Sequence, residues 1–463
     1  MKMKKEKNGA KIDMLNGSIW NKLPLFALPV AATAILEQLF NASDLAVVGN
    51  FTGDKSTIAV AAVGANSPVI GLILNLFIGV ALGANVIIAN AIGSGDEKTV
   101  HKAVHTSIIA ALLGGAVIAL LGELSAGWIM NALNLPAEVY PYAMQYLRIY
   151  LLGMPVIFLY NFEAAIFRSV GDTRSPLIAL FFSGLLNVAL NLFFVIVLKM
   201  TVSGVATATV ISNLFSSAIL LRKLIRSDKM IKVDLKKLHI HRSVFLRIMR
   251  IGMPAGLQGA VFSFANIVVQ SAINSLGTDV IAASSAAFNL EILAYYIINS
   301  FAQACTTFVG QNYGAKKMRR CLRTLVLSLL EDTAAAALAI GIVLAAGKPL
   351  LSIFNSDPTV ISIGYTRLIY IFSGYFFSML YEVMSGYMRG FGISFVPALL
   401  TTLGVCGIRL TWIKFVFPAS RTFETIMTVY PISLAATAML MMLALLFTRP
   451  AHKFERMHGT NDE

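Results

Sequence analysis

The chain has little charge and almost no cysteine. Of its 463 residues only 13% are charged, against about 25% in an ordinary soluble domain. Its three cysteines, Cys305, Cys321 and Cys406, share no short spacing, which excludes a disulfide framework and a cysteine metal site. By contrast, 57% of the residues are hydrophobic and the mean hydropathy is +0.75. These values exclude a disordered chain and a cytosolic globular enzyme.

The apolar residues form long runs. A helix crosses the hydrocarbon core of a bilayer with about 20 apolar residues, and twelve runs of this kind are present. The predicted spans are 23–48, 58–88, 103–122, 140–162, 177–198, 202–221, 251–274, 280–308, 324–346, 361–386, 397–417 and 426–447. The sequence therefore predicts an all-α polytopic membrane protein with twelve transmembrane helices.

The net charge of +14 is unevenly placed along the chain. If the N-terminus is inside, the cytoplasmic segments hold 29 of the 37 Lys and Arg residues. This bias predicts that both termini lie in the cytoplasm. It also accounts for the basic charge without a nucleic-acid partner, since no nucleic-acid-binding motif accompanies it. The basic start of the chain resembles a signal sequence, but the apolar run after it is long and contains Glu37, which predicts an uncleaved first helix.

The two halves of the chain repeat with an offset of 221 residues. Arg-x-x-Gly-x4-Pro occurs at 168–176 and again at 389–397. Each half has an even number of spans, so the two copies enter the membrane from the same side and form a parallel repeat. We expect two six-helix bundles with a substrate cavity between them. The predicted division is an N-terminal segment 1–22, an N-lobe 23–221, a linker 222–250, a C-lobe 251–447 and a tail 448–463.

Polar residues inside spans mark candidate sites because they are costly there. Glu37, Asn41 and Asp44 are spaced for one helical face in span one. Two acids on a buried face can load and release a proton, and the same oxygens suit a hard cation such as Na⁺. The plainer interpretation is that Asp44 caps a loop or faces water and that Glu37 reaches solvent.

Two further spans in the first half supply polar groups. Asn187 and Asn191 are four residues apart in span five, and Thr209 lies in span six. Such residues either bind a ligand or join helices by hydrogen bonds, and the sequence leaves both interpretations open. Pro29 in span one removes a backbone donor, and we hypothesise a bend there that responds to the charge on Asp44.

The second half carries a different polar set, which we treat as a second candidate site. Its members are Gln258, Glu291, Glu382 and Arg409. The plainer interpretation pairs an acid such as Glu382 with Arg409. Because the halves differ in acids, we expect one lobe to carry the coupling chemistry.

Motifs for ATP hydrolysis and for enzyme catalysis are missing. GNFTGDKST at 49–57 resembles a phosphate loop, but Asp54 interrupts it. The six histidines lie in or beside predicted cytoplasmic segments, and no nucleophile, base and acid occur together within spans. We expect neither an enzyme nor a cofactor.

The chain resembles the multidrug and toxic-compound extrusion (MATE) antiporters of bacteria over all twelve spans. The resemblance depends on Pro29 with LFNASDLAVVG in span one, NAIGSGD at 90–96, QNYGAKK at 311–317, NVALNLFFV at 187–195 and the repeated Arg-x-x-Gly-x4-Pro. It implies two lobes in a V and export of amphipathic, often cationic organic compounds against inward flow of H⁺ or Na⁺.

The resemblance also implies roles for individual residues. Asp44 matches the first-span acid used for coupling, and Asn187 and Thr209 match polar residues of the same pocket. Asn191 stands where one branch of the family has a second carboxylate, and span seven lacks the acid of another branch. Whether Glu37 or Glu382 replaces the missing acid stays open, as do the coupling ion, the substrate and the oligomeric state.

The resulting prediction is a secondary active transporter of the bacterial cytoplasmic membrane that works by alternating access. A flippase for lipid-linked oligosaccharide is the alternative, although it would need a cationic cavity and Arg409 is the main cation within a span. A membrane-embedded enzyme or scaffold is a weaker alternative, because no catalytic set of residues is present.

Overall fold

The computed structural model describes residues 11–133, 135–227 and 230–452, and every regular element among them is helical. Residues 1–10 of the predicted N-terminal segment and 453–463 of the predicted tail lie outside this range. The α-helices are α1 (Lys22–Phe51), α2 (Ser56–Gly93), α3 (Glu97–Ala132), α4 (Tyr140–Leu152), α5 (Met154–Ser169), α6 (Arg174–Leu192), α7 (Val202–Ile225), α8 (Arg242–Asn274), α9 (Thr278–Gly314), α10 (Met318–Ala345), α11 (Gly347–Ser352), α12 (Pro358–Gly390), α13 (Phe395–Thr401), α14 (Ile408–Phe415) and α15 (Phe423–Thr448).

The described residues contain up to twelve candidate membrane spans, which agrees with the predicted number. Eleven helical stretches are long and apolar enough to span a bilayer, and α4 with α5 forms a twelfth span that bends by 50°. The bend lies at Gly153, two residues before Pro155, whose ring nitrogen cannot donate a backbone hydrogen bond. The repeat places Phe376 at the position of Pro155, and α12 passes through that position unbroken.

Equivalent turns of the two halves lie together at one end of the molecule, which we call the basic face. It carries the turns 94–96, 170–173, 315–317 and 391–394. Ile12 N donates to Gly171 O (3.2 Å), and the rings of Tyr313 and Phe391 lie 5.0 Å apart. Gly171 and Gly392, which the repeat equates, both have φ +81°. The two halves therefore share their turn geometry as well as their sequence motif.

Helices α1–α7 form an N-bundle and α8–α15 form a C-bundle, each with its own apolar core. The first core also takes in Val244, Ile248 and Ile251 from the start of α8. The second core lies wholly between residues 265 and 441. A small third core joins α1 to α9, where the rings of Phe26 and Phe308 meet edge to face at 5.9 Å.

The two bundles contact each other toward the basic face. A Cβ built on Gly79 of α2 would lie 2.1 Å from the backbone N of Gly256 in α8, so the two backbones touch. Among the described residues, the hydrogen bonds between bundles extend no farther from the basic face than Asn75 and Tyr296, near the midpoints of α2 and α9. The space between the bundles is therefore closed at the basic face.

Candidate functional site

Asp44 is the centre of a hydrogen-bonded group inside the N-bundle. Its side chain is only 5% exposed although it carries a carboxyl group. Asn191 Nδ2 donates to Asp44 Oδ1 (2.6 Å), and Thr209 Oγ1 donates to Asp44 Oδ2 (3.0 Å). Asn191 Nδ2 also donates to Asn187 Oδ1 (3.1 Å). The structure thus brings together four residues that the sequence placed on three separate spans.

The hydroxyl of Thr209 has two acceptors within reach but only one proton to give. Its Oγ1 lies 3.0 Å from Asp44 Oδ2 and 3.0 Å from Val205 O. An ionised Asp44 can only accept, so it uses the hydrogen bond that the Thr209 hydroxyl donates. A protonated Asp44 can donate to Thr209 Oγ1, and the hydroxyl can then donate to Val205 O. Both bonds are satisfied together only in the protonated form, so the group can accept one proton without moving a heavy atom.

The second amide of the group sits at a local change of helix type. Asn187 and Asn191 are one helical turn apart on α6, so they face the same side. A π-helical segment, Phe193–Val197, follows immediately, and such segments are frequent at functional sites. Asn191 is fully buried, and its Oδ1 has no hydrogen-bond partner in the part of the chain that the structure describes.

A cavity of about 130 Å³ adjoins this group. It is lined by residues of α1, α2, α4, α5, α6 and α7, and they include Glu37 and Asn41. Both of these side chains are exposed, and neither has a hydrogen bond within the described residues. Pockets for drug-sized ligands occupy about 300–1,000 Å³, so this cavity suits an ion or water, and a transported compound needs more room.

Glu291 is bound in an ion pair. Arg367 Nε donates to Glu291 Oε2 (2.9 Å) and Arg367 Nη2 to Oε1 (2.7 Å), while Arg367 Nη1 donates to Ser284 Oγ (2.6 Å). Arg367 and Glu291 are 4% and 6% exposed. Both carboxylate oxygens are thus occupied by one guanidinium, which indicates a role in holding α9 to α12.

The suggested pairing of Glu382 with Arg409 is wrong. Arg409 Nη1 donates to Asn266 Oδ1 (3.2 Å), and its guanidinium lies 4.3 Å from the ring centre of Tyr430. Glu382 Oε1 instead accepts from Tyr295 OH (3.3 Å). A guanidinium stacks well on an aromatic face, so Arg409 can be held inside the C-bundle without a carboxylate.

The remaining predicted residues lie apart from Asp44. Gln258 Oε1 accepts from Arg389 Nη2 (3.0 Å) within the C-bundle. Pro29 lies in α1, which continues through it without a break, so the bend there stays a prediction. The described residues contain no group of three or more His, Cys, Asp or Glu side chains placed to hold a metal ion.

Glu163 is a buried acid that sequence reasoning missed. Glu163 in α5 is fully buried and accepts from Ser217 Oγ (2.9 Å). The predicted span 140–162 stops one residue before it, whereas α5 continues to Ser169. Extending the span by one helical turn would have brought Glu163 under the same criterion that identified Asp44.

Comparison with known proteins gives the family. The MatE family model matches residues 29–193 and 254–413, one segment in each bundle. Together these segments cover well over half of the chain. The chain belongs to the MATE family. A "Probable multidrug resistance protein NorM" from Thermotoga maritima is 28% identical over 403 residues, covering 85% of this chain and 84% of that protein.

Other relatives agree with this assignment. The "Probable multidrug resistance protein YoeA" of Bacillus subtilis is 24% identical over 400 residues, covering 85% of this chain and 86% of that protein. A solved MATE transporter described as outward-facing superposes with a TM-score of 0.86 at 20% identity, over 95% of this chain and 98% of that one. Members of the MATE family are transporters and not enzymes, and the multidrug resistance names of these relatives imply small organic substrates and a lipid bilayer.

Proposed function

We propose that this MATE protein exports amphipathic, cationic organic compounds from a bacterial cell in exchange for protons, by alternating access. Its basic face would lie in the cytoplasm and carry both termini. The observation that carries the proposal is the buried Asp44, which two donors contact inside a small cavity. Binding of one proton would neutralise the charge at this point and bias the first helix between two states.

The donor set around Asp44 supports a proton as the coupling ion. Both groups that touch the carboxylate, the Asn191 amide and the Thr209 hydroxyl, contact it through hydrogen. Sodium requires oxygen atoms instead, so Asn191 would have to turn its amide over. A proton requires only that the hydrogen bond between Asp44 and Thr209 reverse its direction. Sodium is the alternative that the experiment below tests.

The exposed acid of the cavity supports a cationic substrate. Glu37 borders the cavity two helical turns from Asp44 and is open on one side. Among the described residues that line this cavity, none is a lysine or an arginine. With the bundles closed at the basic face, the compound would be released on the opposite face.

Efflux from proteoliposomes tests the proposal. Purified protein is reconstituted into liposomes. These are loaded with a fluorescent cationic dye and given either a proton gradient or a sodium gradient. We expect dye efflux with the proton gradient, loss of efflux in Asp44→Asn, and normal efflux in Asp54→Asn. Asp54 is an exposed acid outside the cavity, so it controls for the change of charge.

Two results would contradict the proposal. Unchanged efflux in Asp44→Asn rejects Asp44 as the coupling residue. Efflux driven by sodium alone in the wild type rejects the proton while leaving the transporter function intact.

A further inference from the structure

Arg409 is a buried cation that makes no ion pair within the described residues. Only 2% of its surface is exposed, and it lies in α14, inside a candidate membrane span. The ion pairs of the described chain join other residues, so no carboxylate is close enough to neutralise its guanidinium directly. A charge at membrane depth is costly, and charged residues inside spans therefore mark candidate ion or substrate sites.

The groups that hold Arg409 are counterparts of groups around the N-bundle cavity. Arg409 Nε donates to Ser433 Oγ (3.3 Å), and Nη1 donates to Asn266 Oδ1 (3.2 Å). At the repeat offset of 221 residues, Ser433 is equivalent to Ser212. At the offset of 225 that aligns the proline inside α1 with the proline inside α8, Asn266 is equivalent to Asn41. Both of these N-bundle residues line the cavity described above.

A π-helical segment brings Arg409 onto the helix face that Asn187 occupies in the N-bundle. The segment Thr402–Gly407 precedes Arg409, whereas the π-helical segment of the N-bundle follows Asn187. A π-helix closes its hydrogen bonds one residue later than an α-helix, so it shifts the register by one and makes Arg409 the equivalent of Asn187. The contacts agree with this. Asn187 Nδ2 donates to Thr209 Oγ1 (3.4 Å), and the guanidinium of Arg409 lies 4.3 Å from the ring centre of Tyr430, which is the equivalent of Thr209.

The two equivalent places carry opposite charge. The residue equivalent to Asp44 is Val269, which is buried and apolar. The C-bundle therefore has a guanidinium where the N-bundle has a carboxylate close to an amide. Since the acid of the N-bundle suits a cation, the arginine in the equivalent place of the C-bundle suits an anion.

Two neighbouring donors are left for such an anion. Arg409 Nη2 makes no hydrogen bond within the described residues, and neither does Asn266 Nδ2. The orientation of this amide follows from its partner, because a guanidinium can only donate and must face Oδ1. Asn266 is half-buried, so the pair borders accessible space. One positive charge with two donors suits a carboxylate, whereas a pyrophosphate would need more positive groups.

We propose that Arg409 and Asn266 bind the carboxylate group of an organic compound in the C-bundle. Arg409 Nη2 donates to one carboxylate oxygen, and Asn266 Nδ2 donates to the other. A cationic compound that also carries a carboxylate then contacts the acid of one bundle and the arginine of the other. Binding itself needs no ion gradient, whereas export of the bound compound rests on the proposed function.

Equilibrium dialysis of radiolabelled benzoate against the purified whole protein tests the site. The protein is kept in neutral detergent without chloride, and empty micelles give the background. We expect saturable binding that benzamide, an uncharged compound of the same shape, does not compete for. Arg409→Met should weaken binding about tenfold or more, because it removes a hydrogen bond between two charged groups. The matched control, Arg421→Met, removes an exposed arginine of the same bundle and should bind benzoate as the wild type does.

Asn266→Asp keeps the test decisive if Arg409→Met does not fold. The new side chain supplies a carboxylate to Arg409 from within the protein, so this variant should melt no lower than the wild type and should no longer bind benzoate. Asn274→Asp, at the exposed end of the same helix, is its control and should keep benzoate binding.

Three results would overturn the proposal. The first is the lack of saturable benzoate binding by the wild type. The second is equal binding by the wild type and by either variant of the site. The third is displacement of benzoate by chloride at the same concentration, which would identify a site for a free ion. Since this assay uses no ion gradient, failure of the carboxylate site is distinguishable from failure of the proposed exchange.

Discussion

Asn191 places an amide next to Asp44, at a position where a second carboxylate would otherwise stand. Its Nδ2 contacts Asp44 at 2.6 Å, and its Oδ1 is left without a partner among the described residues. An amide in this position contributes no charge, so Asp44 is the only negative group among the four hydrogen-bonded residues. One proton therefore neutralises the group around Asp44 completely.

Asn191→Asp tests this difference. Two carboxylates at hydrogen-bond distance cannot both be ionised without cost, so they share a proton more tightly than one does. We expect the pH at which proton-driven efflux is half-maximal to rise by about one unit or more. Initial rates of dye efflux from proteoliposomes across a pH series would measure the change.

Asn161→Asp is the matched control for that experiment. Asn161 lines the same cavity but donates to Ile157 O and makes no contact with Asp44. It should leave the pH profile close to that of the wild type. An equal shift of the half-maximal pH in both variants would show that any added negative charge in the cavity has this effect. Direct contact with Asp44 would then not be the cause.

Glu291 illustrates the opposite case, an acid within a span whose role is structural. Removing one partner of a buried ion pair costs about 3–5 kcal/mol because the other charge is left alone. We expect Glu291→Gln to lower the free energy of unfolding by that amount, seen as a lower melting temperature in detergent. Efflux per folded molecule should stay near the wild-type rate.

The double variant Glu291→Leu with Arg367→Met is the control. Replacing both charges with apolar groups removes the orphaned guanidinium, so most of the lost stability should return. A stable Glu291→Gln variant that fails to transport would assign Glu291 to coupling instead.

At the scale of whole helices, α2 and α8 meet through glycine. Gly79 lies against Gly256, and Gly83 lies against Gly252, with backbone atoms in direct contact. Close approach of this kind requires residues without a side chain at the contact. Each pair joins α2 of the N-bundle to α8 of the C-bundle. The two pairs therefore define the surface that must separate if the basic face opens.

Gly79→Leu should disfavour closure at the basic face. A side chain there would overlap the backbone of Gly256, and overpacking costs about 1–3 kcal/mol. We expect about a tenfold shift away from the closed state, measured as a longer distance between spin labels placed on the turns 94–96 and 315–317. Gly71→Leu is the control, since a Cβ at Gly71 meets nothing within 4 Å. Equal distances in both variants would contradict the assignment of this contact surface.

The fourth span shows how one residue changes an element. The repeat predicts the same helix at α4–α5 and at α12, and Gly153 and Gly374 are equivalent. Only the N-bundle has Pro155 two residues later, and only there does the helix bend, by 50°. The proline was visible in the sequence, but the size and direction of the bend depend on the packing of α4 against α3 and α7.

At the scale of the whole molecule, the cations are concentrated at one end. The structure places the turns 94–96, 170–173, 315–317 and 391–394 together at the basic face, where the sequence predicts most of the lysines and arginines to be cytoplasmic. The direction of this end relative to the cell remains a prediction, because it depends on the charge bias alone.

Cysteine labelling in intact cells tests that direction. All three native cysteines are buried and free, so background labelling should be low. Lys55→Cys, in the exposed turn opposite the basic face, should react with a membrane-impermeant maleimide. Lys98→Cys on the basic face should react only after the cells are permeabilised. The reverse pattern would invert the proposed topology.

The sequence by itself determined the class of protein, the number of spans and the parallel repeat. These follow from hydrophobicity and from local chemistry: about 20 apolar residues cross a bilayer wherever they occur, and a glycine in the same turn adopts the same φ in both halves. The sequence also singled out Asp44 as a candidate, because an acid within a span is costly.

Only the tertiary structure decided what each polar residue does. It joined Asp44 to Asn191 and Thr209, placed Glu291 with Arg367, and gave Arg409 the ring of Tyr430 in place of an acid. Helical periodicity fixes which side of a helix a residue occupies, but it does not fix which helix faces that side. The partner of a buried charge therefore depends on how the helices pack, and that information is spread over residues far apart in the chain.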